Sequence, residues 1–153
     1  MLFVIYKNKI HYYNYNIMET KIKVYAKAQN RLALGLVKAY IAMHPDTTLE
    51  DLRKHFPNSL NPDSGVKENF VTEEDTNYWK DHTWKGYFMK DDELLVLKDG
   101  VKAALVSMWT KPSVEKLVSQ AKEYGIEGIK SEDAASGTYK IEKLEDADGQ
   151  EGS

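Results

Sequence analysis

Lys23, Lys27 and Arg31 recur at i, i+4 and i+8. On a helix that spacing lines three cations along one face, the electrostatic footprint of a protein that holds phosphates. Lys21 and Lys38 bring residues 18–38 to a net charge of +4. The plainer account of the same pattern is a solvated helix face opposite Leu and Val. Lys98 and Lys102 flank the Asp99-Gly100 pair and make a second, weakly basic point. The nucleic-acid candidates are therefore Lys23, Lys27, Arg31, Lys38, Lys98 and Lys102.

Rings supply the other recognisable chemistry. Tyr78, Trp79, Trp84, Tyr87, Phe88 and Trp109 crowd the middle of the chain, with Lys80, Lys85 and Lys111 interleaved. Single-strand binders use that mixture, rings to stack on bases and lysines for the backbone. Strand alternation puts Trp84 and Phe88 on one face, which suits a core. Trp79 and Trp109 are the candidates for an exposed partner-binding surface. A Trp placed between a strand and a helix, as Trp109 is, also suits a ring that closes a core while its N–H stays wet.

Catalytic and metal-binding patterns are missing. His44, His55 and His82 are dispersed, and no H-x-x-x-H or H-E-x-x-H pair occurs. His44 and His55 each sit near a helix end, where contact with the C-terminal dipole is the ordinary explanation. A nuclease pattern beginning at Pro45-Asp46 or Pro62-Asp63 lacks its second half, an acid two positions before a Lys. The nine glycines are scattered, so there is no phosphate loop, and no G-x-S-x-G elbow exists. Asp91-Asp92-Glu93 reads as a solvent-facing turn rather than a cation site. The sequence assigns no catalytic residue, no metal and no cofactor, and points away from an enzyme.

Composition sets the outer bounds. The chain has 153 residues, 42% hydrophobic and 29% charged, with 11% aromatics and a net charge of −3. Those values suit one globular domain with a real core. The acidic balance excludes a globally basic nucleic-acid coat. The absence of Cys excludes a disulfide scaffold and a cysteine nucleophile. No apolar run approaches the ~18 residues of a membrane span. With no secretory signal and no Cys, the expected location is the cytoplasm.

The elements that must position these residues follow from periodicity and punctuation. A helix is predicted from about Val24 to His44, on Leu32, Leu36, Tyr40 and Met43, stopped by Pro45. Thr47 and Glu50 form a T-x-x-E capping box for a short second helix through Phe56. Residues 57–83 are rich in turn chemistry, with a further short helix between Thr72 and Trp79. A strand starts near Trp84. Residues 93–97 and 101–107 flank Asp99-Gly100, a strong hairpin signal because both turn positions need positive φ. Lys111-Pro112-Ser113 opens a helix with Val114, Leu117, Val118 and Ala121 on one face, ended by Gly125. Ile126 and Ile129 suggest a short final strand.

The two ends read differently. Fourteen of residues 1–17 are Phe, Tyr, Met, Ile, Asn or Lys, whose codons are richest in A and T. The expectation is a spurious or disordered extension before a start at Met18, with a genuine edge strand as its rival. Residues 130–153 hold three lysines and seven acids. They are expected to be a mostly disordered acidic tail, with TYKIEKLE its only patterned piece.

From about Arg31 to Ile129 the chain resembles a family of small bacterial α+β domains with no activity attached. The matching residues are the helix into His44-Pro45, the short helix ending Phe56-Pro57, and Gly65-Val66. Tyr87-Phe88, the Asp99-Gly100 hairpin, Trp109, and the helix ending Tyr124-Gly125 complete the match. The resemblance implies a shared fold and no chemistry. The chain departs from that pattern at Ser107-Met108-Trp109-Thr110, where a more polar run and a Gly after the Trp are expected.

The sequence thus predicts an α+β domain over 18–129. Two N-terminal helices and a C-terminal helix pack on a small antiparallel sheet containing the Asp-Gly hairpin, in an outline similar to a winged helix. A recognition helix would lie after Pro57, where Glu68, Glu73, Glu74 and Asp75 make poor phosphate-facing chemistry. The expected function is a non-catalytic interaction module. It associates with nucleic acid through the basic face and hairpin, or serves as a protein-binding adaptor through exposed aromatics or the acidic tail.

Overall fold

A computed structural model describes residues 19–83 and 85–144, and the backbone of residues 3–6 and 9–12. The fold is α+β. Strands β1 (Phe3–Tyr6) and β2 (Lys9–Tyr12) pair antiparallel as a sheet of their own. This is the strand alternative for a segment expected to be disordered, and Tyr, Ile, Val and Phe favour it.

The element that departs most from expectation is β3 (Ile22–Ala26), in place of the first turns of a long helix. The run Ile22-Lys23-Val24-Tyr25-Ala26 alternates, and its apolar members are buried. Period 2 therefore wins over the helical spacing of the lysines. Helix α1 begins only at Gln29 and runs to Met43, and α2 spans Leu49–His55. The capping box belongs to Thr48 and Asp51 rather than Thr47 and Glu50. Thr48 Oγ1 accepts from Asp51 N, and Asp51 Oδ2 accepts from Thr48 N. Thr47 is buried, and its hydroxyl donates to the His44 carbonyl at 2.6 Å, closing the end of α1.

After Pro57 the chain makes a 3-10 turn at Asn58–Leu60 and then a loop, where a winged helix would carry its recognition helix. Strand β4 is Phe70–Thr72, followed by a 3-10 segment, Glu74–Trp79, in the place of the short helix expected there. Strands β5 (Leu95–Val96) and β6 (Lys102–Leu105) form the hairpin on either side of Asp99 and Gly100, whose φ angles are 62° and 76°. Phe88 is buried as expected, and Tyr87 bridges to Val106. Trp84 lies outside the described residues.

Helix α3 (Lys111–Lys122) is capped by Thr110 and ends towards Gly125, at φ 84°. Strand β7 (Ile126–Lys130) follows directly. The expected domain boundary at 129 falls inside this strand. Pairing continues into β8 (Tyr139–Lys143), so the start of the presumed tail is part of the domain. The reason is again alternation: Tyr139 and Ile141 pack on the core while Lys140 and Glu142 take the other face. Residues 145–153 lie outside the described residues.

Two three-stranded sheets result. One is antiparallel, in the order β4-β6-β5, and holds the hairpin. The other, which the sequence reading did not foresee, is β7-β3-β8, with β7 parallel and β8 antiparallel to β3. Helices α1 and α3 pack together and against this mixed sheet. Two glycines mark the closest approaches of helix and sheet. A Cβ at Gly35 would meet Val24 at 2.7 Å and Tyr139 at 2.9 Å, and one at Gly128 would meet Leu36 at 3.1 Å.

Candidate functional site

The six cations named from sequence do not share one surface. Lys23 lies on the outer face of β3, in register between Glu127 and Glu142, so its charge is offset on both sides. Arg31 is turned inward. Its Nη1 lies 2.9 Å from Glu93 Oε2, and its guanidinium sits 5.1 Å from the centre of the Phe88 ring. Glu93 is buried, contrary to a solvent-facing reading of Asp91-Asp92-Glu93. Lys38 Nζ donates to the Asp92 carbonyl at 3.0 Å, and burial lowers the pKa of its ammonium. Lys98 and Lys102 are exposed at the hairpin. Of the six, Lys27 alone lines the principal cavity.

That cavity, about 580 Å³, lies beyond the carboxyl ends of the parallel pair β3 and β7. Parallel strands leave their ligand sites at that end, where loops and helix starts converge. Lys27 follows Ala26, the last residue of β3, and Lys130 is the register partner of Ala26 on β7. Their common place in the cavity wall is a direct result of parallel pairing. Ala28, Gln29 and Asn30 add the first turn of α1. This turn has no side-chain cap and no acid, whereas α2 and α3 are both capped by threonines. Uncapped N–H groups and the positive end of the helix dipole favour an anion.

Ser107, Met108 and Trp109 form the opposite wall, and hydrogen bonds hold it in place. Ser107 N donates to the Gly86 carbonyl, Asn61 Nδ2 to the Met108 carbonyl and Gln29 Nε2 to the Trp109 carbonyl. Trp109 is 5% exposed, and its Nε1 donates to Val106 O at 2.9 Å. It is a core ring whose N–H is satisfied inside the protein, not part of an exposed docking surface. Lys102 begins β6 and Ser107 lies just past its end, so the hairpin cations and the cavity occupy opposite ends of that strand.

The sequence places Lys130 at the start of the tail. Ile126-x-x-Ile129 marks the strand, but only its parallel pairing with β3 brings Lys130 to the cavity. A second cavity of about 430 Å³ shares Gln29 and Lys130 with the first. It runs between α3 and β7, with Leu32, Val114, Val118 and Gly128 as its apolar part and Lys111, Glu115 and Ser119 around it. Lys130 Nζ also lies 3.9 Å from Glu132.

Two aromatic groups lie elsewhere. Tyr40, His44, His55, Phe56 and Tyr124 form a cluster in which the Tyr40 hydroxyl and His55 Nδ1 are 2.7 Å apart. This brings His55 at the end of α2 onto a ring of α1. The second group is at the surface. Tyr78 is 66% exposed, its ring 4.3 Å from His82 and 5.0 Å from Trp79. Trp79 also contacts Tyr87 and covers Gly86. Among the described residues, no three His, Asp or Glu side chains gather as a metal site, and no helix is long and apolar enough to cross a membrane. Comparison of the chain with family models, curated proteins and solved structures finds no match.

Proposed function

We propose that this protein is a non-catalytic interaction module that associates with nucleic acid by holding phosphate groups at the end of the parallel strand pair. The observation that carries the reading is the meeting of Lys27, Lys130 and the uncapped first turn of α1 in one cavity. Phosphate recognition needs cationic side chains and free N–H donors in one place, and this cavity supplies both. Lys111 extends the positive charge along the adjoining groove. The contact is local, in keeping with a chain whose net charge is −3.

The test is fluorescence anisotropy of labelled random duplex and single-stranded oligonucleotides, titrated with the full chain at about 50 mM and about 200 mM salt. Two or three phosphate contacts predict a loss of roughly ten- to fortyfold in duplex affinity between those conditions. Lys27→Glu combined with Lys130→Glu should abolish binding at the lower salt. Lys98→Glu combined with Lys102→Glu should leave most of it. Equal losses from the two pairs, or no binding by the wild type, would reject the cavity as the contact.

The adaptor reading is favoured by a different observation, the exposed Tyr78 ring set at a tilt against His82 beside Trp79. Exposed aromatic anchors of this kind are enriched in protein interfaces. A protein partner held there is lost with Tyr78→Ala and retained with the Lys27/Lys130 double variant.

A further inference from the structure

We propose that the groove between α3 and β7 receives the base of a single nucleotide whose phosphate is held by Lys27 and Lys130. This rests on the phosphate reading above and adds the rest of the ligand to it. The two cavities share Gln29 and Lys130, so one ligand spans both. Their sizes, about 580 and 430 Å³, lie within the ~300–1,000 Å³ of ordinary small-molecule sites.

The two parts differ in character. The first offers the two lysines and the open turn of α1 to an anion. In the second, Leu32, Val114 and Val118 provide apolar surface beside Gly128 of β7. Gln29, Glu115 and Ser119 are set around that surface. An apolar slot with amide, carboxylate and hydroxyl groups around it suits a flat ring with apolar faces and a hydrogen-bonding edge. A purely aliphatic chain would use the apolar surface alone and make no contact with the polar rim. Lys111 and Glu115 offset each other at the groove, so this end takes the base and the end with Lys27 and Lys130 takes the charge. The base must come out of a stack to enter, so the natural source is an unpaired or terminal nucleotide.

Calorimetry with the full chain separates the contributions, using inorganic phosphate, adenosine and adenosine 5′-monophosphate as probes. Burial of the base should make the nucleotide bind at least about tenfold more tightly than inorganic phosphate. Ser119→Trp, on the exposed face of α3, fills the groove without touching the core. It should remove the nucleotide's advantage and weaken single-strand binding, while leaving salt-dependent binding of random duplex, whose bases stay stacked, intact. If the nucleotide and inorganic phosphate bind alike while oligonucleotides still bind, the groove proposal falls and the phosphate reading stands. If neither the small probes nor the oligonucleotides bind, both fall. Loss of duplex binding in Ser119→Trp, with unchanged circular dichroism, would place the phosphate contact in the groove and overturn the division proposed here.

Discussion

Arg31 Nη1 and Glu93 Oε2 are 2.9 Å apart, at a point where Glu93 is almost wholly buried. The pair ties the first turns of α1 to the segment entering β5. The second Glu93 oxygen accepts from Lys90 N at 3.1 Å, and the Phe88 ring covers the guanidinium. Both charges are therefore satisfied, and an arginine with the spacing of a phosphate ligand is committed to the fold.

Removal of one partner leaves the other charge buried and alone. Arg31→Met should destabilise the protein by roughly 3–5 kcal/mol in urea unfolding. Arg31→Met combined with Glu93→Met should recover most of that loss. A single-variant effect below about 0.5 kcal/mol would mean that water reaches Glu93 freely.

The position of the α2 cap can be tested directly. Thr48→Ala should cost about 1 kcal/mol, because the Asp51 N–H loses its acceptor. Glu50→Gln should change stability by less than about 0.5 kcal/mol. Hydrogen bonding from Thr48, its N–H first and its side chain second, holds the Asp51 carboxyl below its ordinary value. A lowered folded value means that this stabilisation is present above the unfolded value near 3.8 and fades as pH falls. The acid limb of the stability profile should therefore be shallower in Asp51→Asn.

Tyr87 governs the alkaline limb. Its hydroxyl donates to the Glu68 carbonyl at 2.7 Å. Burial, then the Glu68 carboxylate, pushes its pKa up to about 12. A raised folded value favours the neutral ring in the native state. That contribution is complete below the unfolded value of 10.0 and is lost as pH rises through about 12. The urea midpoint should fall across that window, and Tyr87→Phe should reduce the fall. An identical fall in the variant would assign it to other groups.

The membership of β8 predicts the effect of shortening the chain. A protein ending at Ile129 loses Lys130 from β7 and leaves one edge of β3 unpaired. It should unfold at markedly lower urea than a chain ending at Leu144. Gly35→Ala, which forces a methyl against Val24 and Tyr139, should cost about 1–3 kcal/mol in the longer chain. If Gly35→Ala costs the same in both chains, Tyr139 does not pack as described.

Local signals were readable wherever a motif carries its own reason. Asp99-Gly100 announced a turn with two positive φ angles, and Pro45, Pro57 and Gly125 punctuated helices as their backbone chemistry requires. The short helix before Trp79 and the strand at Ile126 were also legible. The losses came where two local patterns competed or where a partner was remote. Lys23, Lys27 and Arg31 have helical spacing, but Ile22, Val24 and Ala26 have strand spacing, and only the arrival of β7 and β8 decides between them. Asp-Thr-Thr-Leu-Glu-Asp offers two capping frames, and the buried hydroxyl of Thr47 selects the second. The candidate site was half legible: Lys27 could be named, while Lys130 becomes its neighbour only through a parallel pairing that no short-range pattern encodes.

The central strand of the mixed sheet has a consequence for how this chain acquires its structure. Tyr25 and Glu142, joined by a hydrogen bond, are 117 positions apart. During synthesis Ile22 of β3 emerges 104 positions before its register partner Ile126 on β7, and further still before β8. Closing so long a loop costs entropy before any pairing rewards it, which slows the final assembly step. Until then Ile22, Val24 and Ala26 have only α1 to cover them, on a strand with two open edges. The nascent chain is most vulnerable to aggregation in that interval, and a ribosome stalled before β7 would hold it there.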